Sequence, residues 1–217
     1  MLILSYVVVS SVAYLLGSIP TGFLVAKARG VDIRSVGSGN IGAANTFRAV
    51  GKTAGIIVLL IDALKGYVAV EAADLILNFF NVAEPNREMY RILAAIFAVL
   101  GHNYTCWLHF KGGKGIATSA GAYLALAPFS VLCALVAFIA GFGLTRITSV
   151  GSILASIVLP TAVCFTKDNW TLRIVTIALG VLALLKHRTN IQRLIAGTEH
   201  RVEFKKRSPD AKSKLGL

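Results

Sequence analysis

Residues 116–144 read IATSAGAYLALAPFSVLCALVAFIAGFGL, a run without one charged side chain. A helix needs about 20 apolar residues to cross a bilayer. These roughly 29 positions are too many for one crossing and few for two. Ala127-Pro128 lies inside the run. Proline has no N–H to donate and pushes its predecessor out of helical geometry, so a turn is expected there. The flanking charges decide between one crossing and two. KGGKG precedes the run at 111–115, and 186–214 is rich in lysine and arginine. One crossing would put these cations on opposite faces, against the tendency of Lys and Arg to collect in cytoplasmic loops. The run therefore predicts two short helices, with a re-entrant hairpin of the same parity as the alternative.

Five further apolar runs cover roughly 2–26, 53–78, 90–108, 147–165 and 172–185. With the basic C-terminal segment inside, 27–52, 111–115 and Arg146 also fall inside, while 81–88 and 167–169 fall outside. The expected fold is an all-α polytopic membrane protein. It is a bundle of about seven transmembrane helices, two of them short, with the N-terminus outside and the C-terminus inside. The first run has no leading cation and reads as a membrane helix rather than a signal peptide. Residues 1–200 form one membrane domain and 201–217 a basic cytoplasmic tail.

Composition supports this reading. The 217 residues are 56% hydrophobic and only 15% charged, against about 25% charged in soluble domains. The net charge of +12 is concentrated in the loops named above. Nucleic-acid binding is a poor match, because the cations do not share a soluble face. Cys106, Cys133 and Cys164 lack metal-ligand spacing. Neither a metal nor a cofactor is expected.

Four polar clusters fall on the side assigned to the cytoplasm. The first is Ser38-Gly39-Asn40-Ile41-Gly42-Ala43-Ala44-Asn45-Thr46-Phe47-Arg48. Its arginine can grip a phosphate through two parallel N–H bonds. The second runs from Gly101-His102-Asn103 to Lys111-Gly112-Gly113-Lys114-Gly115. Its glycines let backbone approach an anion and its lysines supply charge. It is not a nucleotide P-loop, because Gly115 rather than Ser or Thr follows Lys114 and no strand precedes it. The third is Arg146 to Ser152, where serines can cap a helix or meet an anion at its N-terminus. The fourth is His187-Arg188-Thr189-Asn190 with Glu199 downstream; His187 and Asn190 share a helix face. Within the membrane, Asp62 and Lys65 are three apart and read as a structural ion pair.

In their order along the chain these blocks resemble the PlsY family of bacterial membrane glycerol-3-phosphate acyltransferases that use acyl phosphate. The resemblance includes Gly17-Ser18-Ile19-Pro20 and covers nearly the whole chain. It implies transfer of an acyl group from acyl phosphate to the 1-hydroxyl of sn-glycerol 3-phosphate. The products would be 1-acyl-glycerol 3-phosphate (lysophosphatidic acid) and phosphate, the first acylation of phospholipid synthesis. It implies catalytic roles for Ser38, Arg48, Lys114, His187 and Asn190. Substrate contacts are implied for Gly39, Asn40, Gly42, Asn45, Lys111, Gly112, Gly113, Gly115 and Ser152, and support from Asp62, Lys65 and Glu199. The partners are the two phosphorylated substrates, membrane lipid and an enzyme that supplies acyl phosphate. The implied location is the bacterial plasma (inner) membrane, with the site facing the cytoplasm. A multipass transporter of phosphate or organic phosphates is the alternative from another class. Its expected signature is paired broken helices at mid-membrane.

Overall fold

The structure is a computed structural model that describes residues 2–81 and 87–202. Most of the basic tail, from 203 onward, and much of the 81–88 loop lie outside the described residues. Ten α-helices occur among the described residues: α1 Leu2–Ser18, α2 Thr21–Lys27, α3 Ala43–Ala49, α4 Lys52–Phe79, α5 Arg87–Asn103, α6 Ile116–Leu126, α7 Pro128–Thr145, α8 Thr148–Thr166, α9 Trp170–Lys186 and α10 Arg188–Ile195.

Proline sets two of the breaks. The run 2–26 is not one helix, because α1 stops at Ser18 and α2 restarts after Pro20. The run 116–144 divides where expected: Ala127 leaves helical geometry (φ −150°, ψ 67°) and Pro128 opens α7. Of its two helices only α6 is short, at 11 residues against 18 for α7. At 1.5 Å per residue α6 is about 16 Å long, roughly half the thickness of a bilayer core.

Four stretches are long and apolar enough to span a membrane by length and composition: 3–27, α4, α7 and α8. Joining α9 to α10, which are bent by 55° at His187, gives a fifth. The protein is an all-helical membrane protein, and its lipid-facing surface is apolar. Leu60, Leu75, Leu132, Ile139 and Ile174 are all largely exposed.

Small residues set the tightest helix crossings, as is common where lipid removes the hydrophobic drive between helices. A Cβ on Gly121 would land on the Ala63 carbonyl, and one on Gly66 on the Thr118 carbonyl, so α4 and α6 touch backbone to backbone. Gly17 and Gly101 do the same for α1 and α5. Polar ties reinforce the bundle. The Tyr123 hydroxyl donates to Thr176 Oγ1 at 2.7 Å, joining α6 to α9. Arg91 on α5 pairs with Glu71 and Asp74 on α4. At the other end of the bundle α3, α6 and α8 begin, and α9 ends, around one cavity.

Candidate active site

The loop before α3 is shaped by glycine and wired by Asn45. Gly37 and Gly39 have φ of +61° and +67°, a region most side chains avoid. Asn45 Oδ1 accepts from the Ser38 N–H at 3.0 Å, and its Nδ2 donates to the carbonyls of Val36 at 2.9 Å and Ile33 at 3.3 Å. Asn45 is buried and fully used in holding the loop, so its amide is an organiser rather than a ligand for substrate. Asn40 Oδ1 caps the Gly42 N–H at 2.9 Å, leaving its NH₂ for the cavity. Arg48, on the last turn of α3, lines the cavity and makes no hydrogen bond or ion pair among the described residues. Burial lowers its pKa and the charge of Glu199 opposes that shift. An arginine stays a cation regardless.

The Lys/Gly loop departs from expectation. Gly112 N–H donates to the Asn103 carbonyl at 3.2 Å and Gly113 N–H to the His102 carbonyl at 3.0 Å. These two N–H groups fold the loop back on the end of α5 and are not offered to an anion. Glycine is needed there for close approach, since a Cβ on Gly112 or Gly113 would strike His102 or Asn103. Lys111 is exposed and outside the cavity, and Gly39 does not line it either. Lys114 does line it, and Gly115 (φ +83°) opens α6 beside it.

Lys114 Nζ donates to Asn190 Oδ1. Asn190 Nδ2 donates to Glu199 Oε1 at 2.7 Å, and Ser149 Oγ donates to the same oxygen at 3.1 Å. Arg193 Nε donates to Glu199 Oε2 at 2.6 Å. Burial alone would raise the Glu199 carboxyl, but hydrogen bonds from Arg193, Asn190 and Ser149 hold it below its ordinary value. Glu199 thus ties α10 to the start of α8 while standing one residue behind the cavity. Burial, with Arg193 and Arg48 adding to it and Glu199 opposing, brings Lys114 down to about 8. His187, at the end of α9, has Nδ1 2.8 Å from the Ala183 carbonyl. That contact places its proton on Nδ1 and leaves Nε2 as an acceptor. Burial first, then the charge of Lys114, brings it down to about 4.

The cavity holds about 280 Å³ and gathers all four polar clusters. Ser38, Asn40, Gly42, Asn45, Arg48, Lys114, Gly115, Ser152, His187 and Asn190 all line it. Lys65 and Glu199 sit behind the wall; Asp62, paired with Lys65 at 2.8 Å, reaches it. The first turns of α3, α6 and α8 (Gly42 to Ala44, Gly115 to Ala117, Thr148 and Ser149) also face it. Helix starts carry unpaired N–H groups and the positive end of the helix dipole, so they favour anions. The opposite wall is apolar, with Phe47, Ile56, Leu59, Ile116 and Phe138. Ile56 and Leu59 also lie partly on the lipid-facing surface, at 42% and 48% exposure. One chamber therefore joins an anion cradle to an apolar wall that reaches lipid. Sequence reading did not single out Phe138 as a lining residue; it lies in a uniformly apolar helix, where nothing marks one face.

A family model described as glycerol-3-phosphate acyltransferase matches residues 7–197. A glycerol-3-phosphate acyltransferase of Geobacter sulfurreducens is 46% identical over 198 residues, covering 91% of this chain and 98% of the relative. One from Endomicrobium trichonymphae is 45% identical over 198 residues, covering 90% and 96%. Among solved structures, PlsY, an integral membrane glycerol 3-phosphate acyltransferase, superposes in its glycerol 3-phosphate form with a TM-score of 0.82 and 36% identity, covering 92% of this chain and 96% of that one. Its lysophosphatidic acid form gives 0.80 and 35%. With the family model spanning nearly the whole chain and relatives this similar over their full length, the chain belongs to the glycerol-3-phosphate acyltransferase family and is an acyltransferase of phospholipid synthesis.

Proposed function

We propose that this enzyme transfers an acyl group from acyl phosphate to the 1-hydroxyl of sn-glycerol 3-phosphate. The bundle would cross a bacterial plasma membrane seven times, with the N-terminus outside and the cavity open to the cytoplasm. One observation carries the reading. Arg48 and Lys114, neither paired with a carboxylate among the described residues, share a chamber with three helix starts and an apolar wall that reaches lipid. Both proposed substrates bear a phosphate, and one bears an acyl chain. The polar groups crowd one end of the bundle, unlike the mid-membrane sites expected of a transporter.

The reaction needs no covalent intermediate. The hydroxyl oxygen attacks the acyl carbonyl carbon, the bond from that carbon to the phosphate oxygen breaks, and phosphate departs with the electron pair. Lys114, Arg48 and the helix starts stabilise the charge that develops, an effect that is large when the donors are already in place. Ser38, Ser152 and Asn190 hold and orient the reactants, and alignment itself lowers the barrier. The hydroxyl proton passes to a phosphate oxygen of the substrate. His187 is the competing base, but a group held at about 4 is poorly matched to neutral pH. A phosphate monoester, with its second pKa near ~6, is better matched. His187→Gln is therefore expected to keep kcat within about tenfold of wild type, since general-base removal typically costs ~10²–10⁴-fold. A kcat loss beyond a thousandfold, in protein of normal thermal stability, would make the histidine the base.

The pH dependence follows from Lys114. Burial brings its ammonium down to about 8, and a bound phosphate favours the charged form. Binding that needs the ammonium is complete below that pH and weakens as pH rises through it. KM for glycerol 3-phosphate should climb between pH 8 and 9.5, approaching about tenfold per unit. In Lys114→Arg that alkaline rise should vanish, because arginine does not titrate there. An alkaline rise of equal size in both proteins would remove Lys114 as its source.

The donor is tested with purified protein and labelled glycerol 3-phosphate, offered acyl phosphate, acyl-CoA or acyl carrier protein in turn. Lysophosphatidic acid is expected with acyl phosphate alone. Comparable product from a thioester donor would overturn the donor assignment.

A further inference from the structure

Two buried groups in the cavity wall are not used by this mechanism. Asp62 is 2% exposed and His102 5%, yet both line the chamber. They are wired together through Lys65. Its ammonium donates to His102 Nδ1, 3.0 Å away, and to the Ile19 carbonyl at 2.8 Å, and forms an ion pair with Asp62 Oδ1 at 2.8 Å. An ammonium only donates, so His102 Nδ1 must accept, and the ring proton sits on Nε2. Neither Nε2 nor Asp62 Oδ2 has a hydrogen-bond partner among the described residues. The cavity wall thus presents one fixed donor and one fixed acceptor that the protein leaves unsatisfied. Buried polar groups in this state are costly unless something else completes them.

The partner's chemistry follows from that pair. An anion such as phosphate offers only acceptors and would be repelled by the Asp62 carboxylate. A cation would be opposed by Lys65 and Lys114. A hydroxyl fits both, giving its proton to Asp62 Oδ2 and accepting from His102 Nε2–H. That hydroxyl keeps its proton. His102 has no free lone pair, because Nε2 is protonated and Nδ1 is bound to the ammonium. The Asp62 carboxylate is already engaged by the ammonium at 2.8 Å. The position also suits a hydroxyl near a phosphate. A Cβ on Gly113 would strike His102 Nε2, so this nitrogen lies against the residue that precedes Lys114.

We infer that Asp62 and His102, held by Lys65, form a recognition subsite for the non-reacting 2-hydroxyl of glycerol 3-phosphate, setting acceptor specificity and angling the 1-hydroxyl toward the acyl group. The inference rests on the acceptor reading proposed above. A site built to hydrogen-bond a substrate hydroxyl rejects the analogue that lacks it, because the site's own groups are then left unpaired.

The test compares sn-glycerol 3-phosphate with 3-hydroxypropyl phosphate, which keeps the phosphate and the reacting hydroxyl but lacks the 2-hydroxyl. Wild-type kcat/KM should be lower for the analogue by about 10–100-fold, the scale of one or two buried hydrogen bonds. His102→Ala should lose most of its activity on glycerol 3-phosphate and little on the analogue, so that the preference collapses. His102→Gln, which retains a side-chain N–H, should keep much of the preference, and it replaces the alanine variant if that protein does not fold. Equal use of both substrates by wild type would overturn the subsite. So would a proportional loss on both substrates in His102→Ala, which is the mark of a structural role. Absence of product from glycerol 3-phosphate in wild type would instead remove the acceptor reading itself.

Discussion

Lys114→Ala is expected to lower kcat/KM for glycerol 3-phosphate by about 10²–10³-fold, the range seen when a placed donor to developing charge is removed. The reason is local. Lys114 lines the cavity at the start of α6, and among the described residues its one hydrogen-bond partner is the neutral side chain of Asn190. Its charge is therefore available to substrate. Removing it also deprives Asn190 Oδ1 of its donor, but Asn190 keeps its bond to Glu199 at 2.7 Å. Thermal stability should consequently change far less than activity. Steady-state kinetics in detergent micelles, alongside a melting curve, check both parts. Unchanged kinetics would remove Lys114 from the site, and a collapsed melting curve would make its role structural.

Arg48→Lys should be nearly as damaging, at roughly 10²-fold in kcat/KM, although the charge is kept. Arg48 has no hydrogen bond or ion pair among the described residues and sits where the start of α8 and the Lys/Gly loop converge. A guanidinium there can hold a phosphate through two parallel bonds, which an ammonium cannot reproduce. Raising the phosphorylated substrate tenfold should restore part of the rate of Arg48→Lys and little of that of Arg48→Ala. Full activity in Arg48→Lys would mean that point charge, not fork geometry, is what the site uses.

The helices were largely legible because their signals are local. Apolar runs between basic loops gave the spans, and Ala127-Pro128 marked the break between α6 and α7. Pro20 carries the same information for α1 and α2, but it is masked by the continuous apolar run around it. The shortfall of length predicted for both halves of 116–144 falls on α6 alone, since the break at Ala127-Pro128 leaves 11 residues for α6 and 18 for α7.

The composition of the site was legible, but its internal wiring was not. Ser38, Arg48, Lys114, His187 and Asn190 do meet at one cavity. The contact from Lys114 to Asn190 joins residues 76 apart, and that from Ser149 to Glu199 residues 50 apart. No spacing rule reaches that far. The same limit explains Gly112 and Gly113. A glycine-rich loop beside a lysine looks like an anion nest, but here the N–H groups are spent on the carbonyls that end α5. The first turns of α3, α6 and α8 line the cavity instead, and their convergence depends on tertiary packing. Asn45 lines the cavity, yet its amide is consumed by the loop that presents Ser38.

The most direct measurement is calorimetric binding of glycerol 3-phosphate to the purified protein, without any acyl donor, in wild type and in the Arg48→Ala/Lys114→Ala double variant. Saturable binding by wild type, lost in a double variant that still melts cooperatively, is the predicted result. Equal affinity in the two proteins would contradict the placement of the phosphate site in this cavity.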